Sequence, residues 1–518
     1  MSQAANPGAP PPTGTFLGHP RGLFVLFFTE MWERFSYYGM RSLLVLYMVN
    51  HLFIRPDVGQ RLLGFNVVRH ALETVYGPLA VQPLSSQIYG LYTAFVYLTP
   101  FFGGMLADKV LGQRRSVILG GVLMAIGQFT LMSEHLFFPG LILLILGNGA
   151  FKPNISTQVG SLYPEGDPRR DGAFTIFYMG INLGAFFSPL VCGTLGQSIG
   201  WKWGFGSAGV GMVLGLILYI VGQPVLGKAP SPLRTSAPKA TLTVVYYLLG
   251  VAGGLCVLML APPLLLALLP TFARWALLAI VAVAVLTLFI RWMGSLDHDE
   301  RWSIWAIIIL CALNIVFWGC YEQQGNTMQL WADRNTNWHF FGWNVPSTWF
   351  QAFNPFMIFV FAPLLNIFWA WQNKRKQEPT SVTKMAIGCF LLGMSYIIMI
   401  IAAWGMAPDA KRSVMWLAGT TLVITMGELY LSPIGLSFVT KVAPARMVSM
   451  MMGVWFLSSF FGNYLNGFLG MFWERMPHQA FFLMLTLLGV GTGVLMMLVN
   501  RPLRRIVAKH EAVTAQAS

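Results

Sequence analysis

Charged side chains are scarce in this chain: Asp, Glu, Lys and Arg make up 10% of 518 residues, where a soluble globular protein carries about 25%. Water is therefore not its main solvent. Acidic residues are the scarcer sign, 19 against 33 Lys and Arg. That imbalance would suit a nucleic-acid binder, but the placement of the cations, given below, excludes one. Cysteine occurs five times, at Cys192, Cys256, Cys311, Cys320 and Cys389, each alone in or beside an apolar stretch. No metal spacing and no disulfide framework follows from them, so they read as small hydrophobes. The histidines (His19, His51, His70, His135, His298, His339, His478 and His510) keep to loops, tails and helix ends. The first residues hold Pro, Gly and Ala but no apolar core followed by a cleavage site. Residues 1–21 thus read as a short disordered tail, not a signal peptide.

What is abundant is apolar sequence. Hydrophobic residues reach 56% and the mean hydropathy is +0.62. Val117–Met132, Leu141–Ala150, Val210–Val221, Leu242–Leu269 and Trp275–Ile290 contain few or no formal charges. A helix needs roughly 20 mostly apolar residues to cross a hydrocarbon core of about 30 Å. Fourteen membrane helices are predicted, at about 22–51, 85–107, 115–132, 137–158, 172–196, 203–226 and 241–265, then 272–293, 302–330, 347–372, 381–404, 413–437, 447–472 and 478–500. The connecting loops alternate between two sides. The side with the N-terminus collects 21 of the 33 Lys and Arg, the other side nine, and three (Arg34, Arg41 and Lys152) lie within helices. This bias predicts a multi-pass protein of the inner (plasma) membrane with both termini in the cytoplasm. The basic balance is topology, and no nucleic-acid partner is expected.

Six predicted helices precede Gly227 and six follow Arg301. Between them stand two further apolar helices, entered through a Pro- and Ser-containing linker, Lys228–Ala240. The expected organisation is a tail (1–21), a six-helix bundle (22–226), a linker with two additional helices (227–301), a second bundle (302–501) and a cytoplasmic tail (502–518). Two six-helix halves of nested repeats describe an all-α membrane protein of the major facilitator fold. The segment Gly103–Lys109, followed by Gly112–Arg115, supports it: small residues permit close helix contact, and Asp108 sits among cations.

An ionisable side chain inside a membrane helix is expensive unless paired or hydrated, so it defaults to a functional candidate. The first predicted helix carries Glu30, Glu33, Arg34, Tyr37 and Arg41. At about 100° per residue all five fall within about 100° of arc. One Glu–Arg pair would lock two helices, and four charges exceed what packing requires, so this stripe is expected to face a wet cavity. Lys152, within Gly147–Asn154, needs a carboxylate partner, and Glu33 is expected to supply it. Asn182 is an amide in an apolar helix, open to a cavity role or a helix–helix bond. In the second half Trp318 and Glu322 are four apart, as are Glu428 and Ser432; Asn354 and Trp455 add an amide and an aromatic wall. Cations on one wall and carboxylates on the other suit a zwitterion. With no histidine inside the helices, any proton carrier is expected to be a carboxylate, foremost Glu33, whose proton affinity would change as its cationic partner comes and goes.

Glu30–Gly39 (EMWERFSYYG) resembles the ExxERFxYYG motif of the proton-dependent oligopeptide transporter family, in its bacterial form. Phe174–Phe186 is similar to that family's second signature and Gly103–Gly121 to its first, departing at Ser116. Phe317-Trp318, Glu322–Gly325 and Glu428–Pro433 also match, and the likeness runs from about Gly22 to Arg501. The resemblance implies a proton-coupled symporter that imports di- and tripeptides by alternating access, with protons as coupling ion and no cofactor or metal. It implies that Arg34 and Lys152 hold the peptide carboxylate, and that Glu428, Asn182 and Asn354 hold the amino group. Tyr37, Tyr97, Tyr178, Trp318, Ser432 and Trp455 would line the pocket, Glu30 and Glu33 would couple protons with Arg34 and Lys152, and Arg41–Glu322 would form an extracellular gate pair. Animal relatives carry a His after the Tyr of the second helix; here Gly90 follows Tyr89, which shifts proton coupling to carboxylates. A monomer is expected. Transport of another small anion or zwitterion such as nitrate is the alternative within the family, and a drug/proton antiporter fits the cations Arg34 and Lys152 less well. No nucleophile–base constellation is visible, so an enzyme is not expected. No role can be assigned to the 54–84 connection.

Overall fold

The computed structural model describes residues 15–517 except 165–166, 228–249, 251–270, 341, 408–409 and 445–446. Apart from three two-residue strand pairings, the described residues are mainly helical. The first half contains α1 (Arg21–Tyr47), α2 (Val81–Leu106), α3 (Gln113–Thr130), α4 (Phe137–Ser161), α5 (Arg169–Ser188) and α6 (Trp201–Gly222). After α7 (Thr271–Gly294) the second half contains α8 (His298–Tyr321), α9 (Phe353–Lys374), α10 (Ser381–Ala403), α11 (Val414–Val442), α12 (Val448–Gly470) and α13 (His478–Ala517). The predicted helix 241–265 and the linker before it lie outside the described residues, so the count of fourteen is not reached among them. Part of the expected N-terminal tail is ordered: Thr15–Phe16 pairs antiparallel with His19–Pro20. At the other end the backbone of α13 stays helical through most of the expected tail.

Among the described residues, eight helical stretches are long and apolar enough to cross a membrane by length and composition. α1 is not among them, because Glu30, Glu33, Arg34 and Arg41 interrupt its hydropathy. Within the first half α1 packs on α5 and α6, while α4 receives α2 and α3. Within the second, α8 packs on α12 and α13, α10 on α11 and α13, and α9 on α11. The halves meet along two seams, α2 with α12 and α5 with α9.

The first seam depends on missing side chains. A Cβ on Gly90 would lie 2.5 Å from the Cα of Gly467 and 2.9 Å from the Asn463 carbonyl oxygen. Two helices therefore cross here backbone to backbone, the close approach that small residues allow in membranes. The histidine of animal relatives has no room at this position.

Several helices end in tighter or wider turns that sequence periodicity does not reveal. α1 closes in a π-turn, Met48–Leu52, and α5 continues through a π-turn, Pro189–Gly193, into a short helix, Thr194–Ser198. α8 passes through a 3-10 turn, Glu322–Gly325, into the helix Thr327–Asn335. The 54–84 connection holds an amphipathic helix, Phe65–Tyr76, whose last residue bonds through its hydroxyl to Tyr464 of α12.

Replacing Gly90 with alanine is expected to lower the thermal unfolding midpoint in detergent, since overpacking costs about 1–3 kcal/mol. Gly453→Ala, where a Cβ meets nothing within 4 Å, is expected to be neutral or slightly stabilising. Equal midpoints for the two variants would show that the α2–α12 crossing is loosely packed.

Candidate functional site

The charge stripe of α1 forms at its helical spacing and is buried. Contrary to the expected wet face, only Arg41 of its five members lines the cavity described below; Glu30, Glu33, Arg34 and Tyr37 pack behind it. Arg34 Nε lies 3.2 Å from Glu30 Oε1 and also pairs with Glu33. Asn148 of α4 donates to Glu33 Oε1 at 3.3 Å. The Arg34 guanidinium carbon stands 5.3 Å from the Tyr37 ring centre. Not every group in this cluster is satisfied: Glu30 Oε2, Arg34 Nη2 and the Tyr37 hydroxyl have no hydrogen-bond partner among the described residues.

The expected Glu33–Lys152 pair is not formed. Arg34, on the same helix, takes both carboxylates, and α4 reaches Glu33 through Asn148, one turn before Lys152. Among the described residues no carboxylate oxygen lies within 4.0 Å of Lys152 Nζ. Its ammonium sits instead 4.8 Å from the ring centre of Tyr97, a cation–π arrangement.

Between the two halves lies a cavity of about 390 Å³, within the roughly 300–1,000 Å³ common for small-molecule sites. Tyr97, Lys152, Tyr178 and Asn182 face it from the first half; Trp318, Asn354, Glu428, Ser432 and Trp455 face it from the second. Arg41 and Glu322 close one end. Arg34 and Tyr37, expected in the lining, stand behind it, and Tyr38 takes the lining position. The reason is helical phase: Tyr38 is turned about 100° from Tyr37, to the side of the stripe where the cavity lies.

Glu428 of α11 is held by two donors. Tyr321 O–H donates to its Oε2 at 2.7 Å and Asn354 Nδ2 donates to the same oxygen at 2.9 Å. The other oxygen, Oε1, has no hydrogen-bond partner among the described residues. Tyr321, Gln324, Phe350 and Gln351 also line the cavity and were not singled out from the sequence. The polar run Tyr321–Gln324 directly beside Glu322 was the available signal.

One end of the cavity is fastened by bonds between the halves. Arg41 pairs with Glu322 and donates to the Tyr89 hydroxyl at 2.7 Å. Farther out, Asn50 donates to Asp333 at 2.9 Å, Gln197 to Ser347 Oγ at 2.8 Å, and Ser86 to Asn326 at 2.8 Å. Away from the Arg41–Glu322 end, Tyr178 lines the cavity while 45% exposed. The site is thus a chamber with a cation on one wall and a carboxylate on the other, fastened at the end where Arg41 meets Glu322.

The sequence model of the POT family matches residues 114–493. The chain belongs to the POT family. It is 35% identical over 478 residues to the peptide transporter YePEPT of Yersinia enterocolitica, covering 88% of each chain. It is 32% identical over 512 residues to a di-/tripeptide transporter of Lactococcus lactis subsp. cremoris, covering 95% of this chain and 97% of that one. Among solved structures it is similar to a variant of peptide transporter POT in complex with alafosfalin, with a TM-score of 0.76, 32% identity and coverage of 96% and 97%. This POT-family member is a multi-pass membrane transporter and not an enzyme.

Removing one partner of a buried ion pair costs about 3–5 kcal/mol because the other is left uncompensated. Glu322→Ala and Arg41→Ala are each expected to lower the thermal midpoint, and the double variant by clearly less than the sum. Additive losses would show that the two residues act independently.

Proposed function

We propose that this chain is a proton-coupled symporter that imports di- and tripeptides by alternating access. The observation that carries the reading is a single chamber with Lys152 on one wall and Glu428 on the other. A peptide's carboxylate meets the Lys152 ammonium. Its ammonium meets Glu428, whose Oε1 is left free while Tyr321 and Asn354 hold Oε2. Asn182 supplies an amide on the facing wall. Tyr97, Tyr178, Trp318 and Trp455 give aromatic surface to side chains of varied shape, and Ser432 completes the lining. Arg34 acts from the second layer, setting the charge of the α1 stripe.

Proton coupling falls to Glu30 and Glu33. Both share Arg34, and Glu30 keeps one oxygen without a partner. Because Glu30 and Glu33 share one guanidinium, a proton carried by either changes which of them Arg34 pairs with. A peptide carboxylate drawn to the same cationic region changes that competition, and coupling between two ligands is reciprocal. No cofactor is required beyond the proton. The chamber is complete within one chain, so a monomer suffices.

The cation bias of the loops orients the molecule with both termini in the cytoplasm. The fastened end, with Arg41–Glu322 as its innermost bond, then faces outward and the chamber opens inward. Import proceeds when the outer bonds part, the chamber loads, and they close again behind peptide and proton.

The test uses purified protein in proteoliposomes. Labelled dialanine is expected to accumulate when the outside is acidified, to be lost with an uncoupler, and to be displaced by unlabelled dialanine but not by free alanine or nitrate. Glu33→Gln is expected to abolish gradient-driven accumulation while peptide exchange persists. Accumulation indifferent to the uncoupler would overturn symport, and displacement by nitrate would redirect the substrate to small anions.

A further inference from the structure

A second cavity, of about 450 Å³, lies on the outside of the first half between α1, α5 and α6. Its walls are apolar: Trp32, Phe35, Phe187, Val210, Gly211 and Leu214. Its Ser207 hydroxyl already donates to the Gly204 carbonyl at 2.8 Å, so the groove makes no polar demand on an occupant. Phe187, Val210 and Leu214 are exposed large hydrophobics, which in a membrane-spanning chain face lipid. At the floor of the groove α1 packs directly on α6: a Cβ on Gly211 would lie 2.5 Å from the Phe35 ring.

Trp203, Ser207, Val210 and Leu214 fall on one stripe of α6 at helical spacing. From Trp203 to Leu214 the rise is about 16 Å at 1.5 Å per residue. Half of a hydrocarbon core of about 30 Å is about 15 Å, so the stripe spans one leaflet. At its outer end Trp203 is exposed, and the Lys202 ammonium sits 5.5 Å from its ring centre. Among the described residues no carboxylate lies within 4.0 Å of that ammonium. An indole and an unpaired cation at this depth mark the membrane interface, where phospholipid phosphates lie.

We propose that this groove is a phospholipid site: one acyl chain of a lipid in the leaflet at the fastened end fills it, and the lipid phosphate meets Lys202. The occupant is fixed by three features together, namely an apolar trough open to the bilayer, a stripe of one leaflet's length that continues from it to Trp203, and a cation where the headgroup must be. Filling it matters to α1. Trp32 and Phe35 lie on the face of α1 opposite its charge stripe, so the lipid chain backs the helix that carries Glu33 and Arg34.

The test is native mass spectrometry of the full-length protein, delipidated and titrated with dioleoylphosphatidylglycerol. The wild type is expected to retain one lipid after the loosely held ones are stripped. Val210→Trp, which fills the trough from its exposed edge, is expected to reduce retention at least tenfold, and Lys202→Gln at least threefold, with Lys202→Arg restoring it. Glycerophosphoglycerol, the headgroup without chains, is expected not to bind. Equal retention by wild type and Val210→Trp means annular lipid only and overturns the site; equal retention by Lys202→Gln overturns the headgroup contact. Should Val210→Trp lower the thermal midpoint, Leu214→Trp replaces it in the same comparison. Neither readout involves peptide transport, so the result stands apart from the substrate reading.

Discussion

Charge in a membrane helix has to be answered within the protein, because hydrocarbon answers nothing. α1 places two carboxylates and two guanidiniums on one face, and the rest of the molecule is arranged to meet them. Arg34 is satisfied along its own helix by Glu30 and Glu33. Arg41 is satisfied from the opposite half by Glu322 and from α2 by Tyr89. The first arrangement keeps charge beside the chamber at all times; the second exists only while the halves are together at that end. A single helix therefore supplies both a permanent electrostatic wall and a breakable one.

The two kinds of contact between the halves differ in the same sense. Along α2–α12 the backbones touch at Gly90 and Gly467, and among the described residues the one side-chain bond between these two helices, from Gln82 to the Gly470 carbonyl at 2.9 Å, is buried. At the fastened end the contacts are hydrogen bonds among Asn50, Gln197, Asp333 and Ser347. Amides and a carboxylate at a wet surface trade protein partners for water at modest net expense, about 1.5–3 kcal/mol for each bond to Asp333 and less for the neutral one. Such an end is held by bonds that water can replace, whereas the backbone crossing at Gly90 has no such substitute.

How much of this was legible in the sequence depends on whether a feature has a period. The stripe of α1 does, and it sits as its spacing dictates. So do Trp318–Glu322 and Glu428–Ser432, which reach the chamber together. Lys152 was misassigned because partners separated by one helical turn, as Glu30 and Arg34 are, compete effectively with partners on another helix. Tyr37, which the resemblance places in the lining, lies behind it while Tyr38 lines the cavity; a stripe on a helical wheel does not say which of its edges faces the chamber. The outer bonds were unreadable: Asn50, Gln197 and Ser347 sit in π- and 3-10 turns and short helices that follow no repeat.

Tyr321 and Glu322 are neighbours in the chain, one holding Glu428 and the other Arg41. Their Cα atoms are tethered at about 3.8 Å, too short a leash for either to move far without the other. Parting the outer ends of the halves pulls on Glu322, hence on Tyr321, hence on the carboxylate that awaits the ligand's amine. The chamber is informed of the state of its own door through one peptide bond.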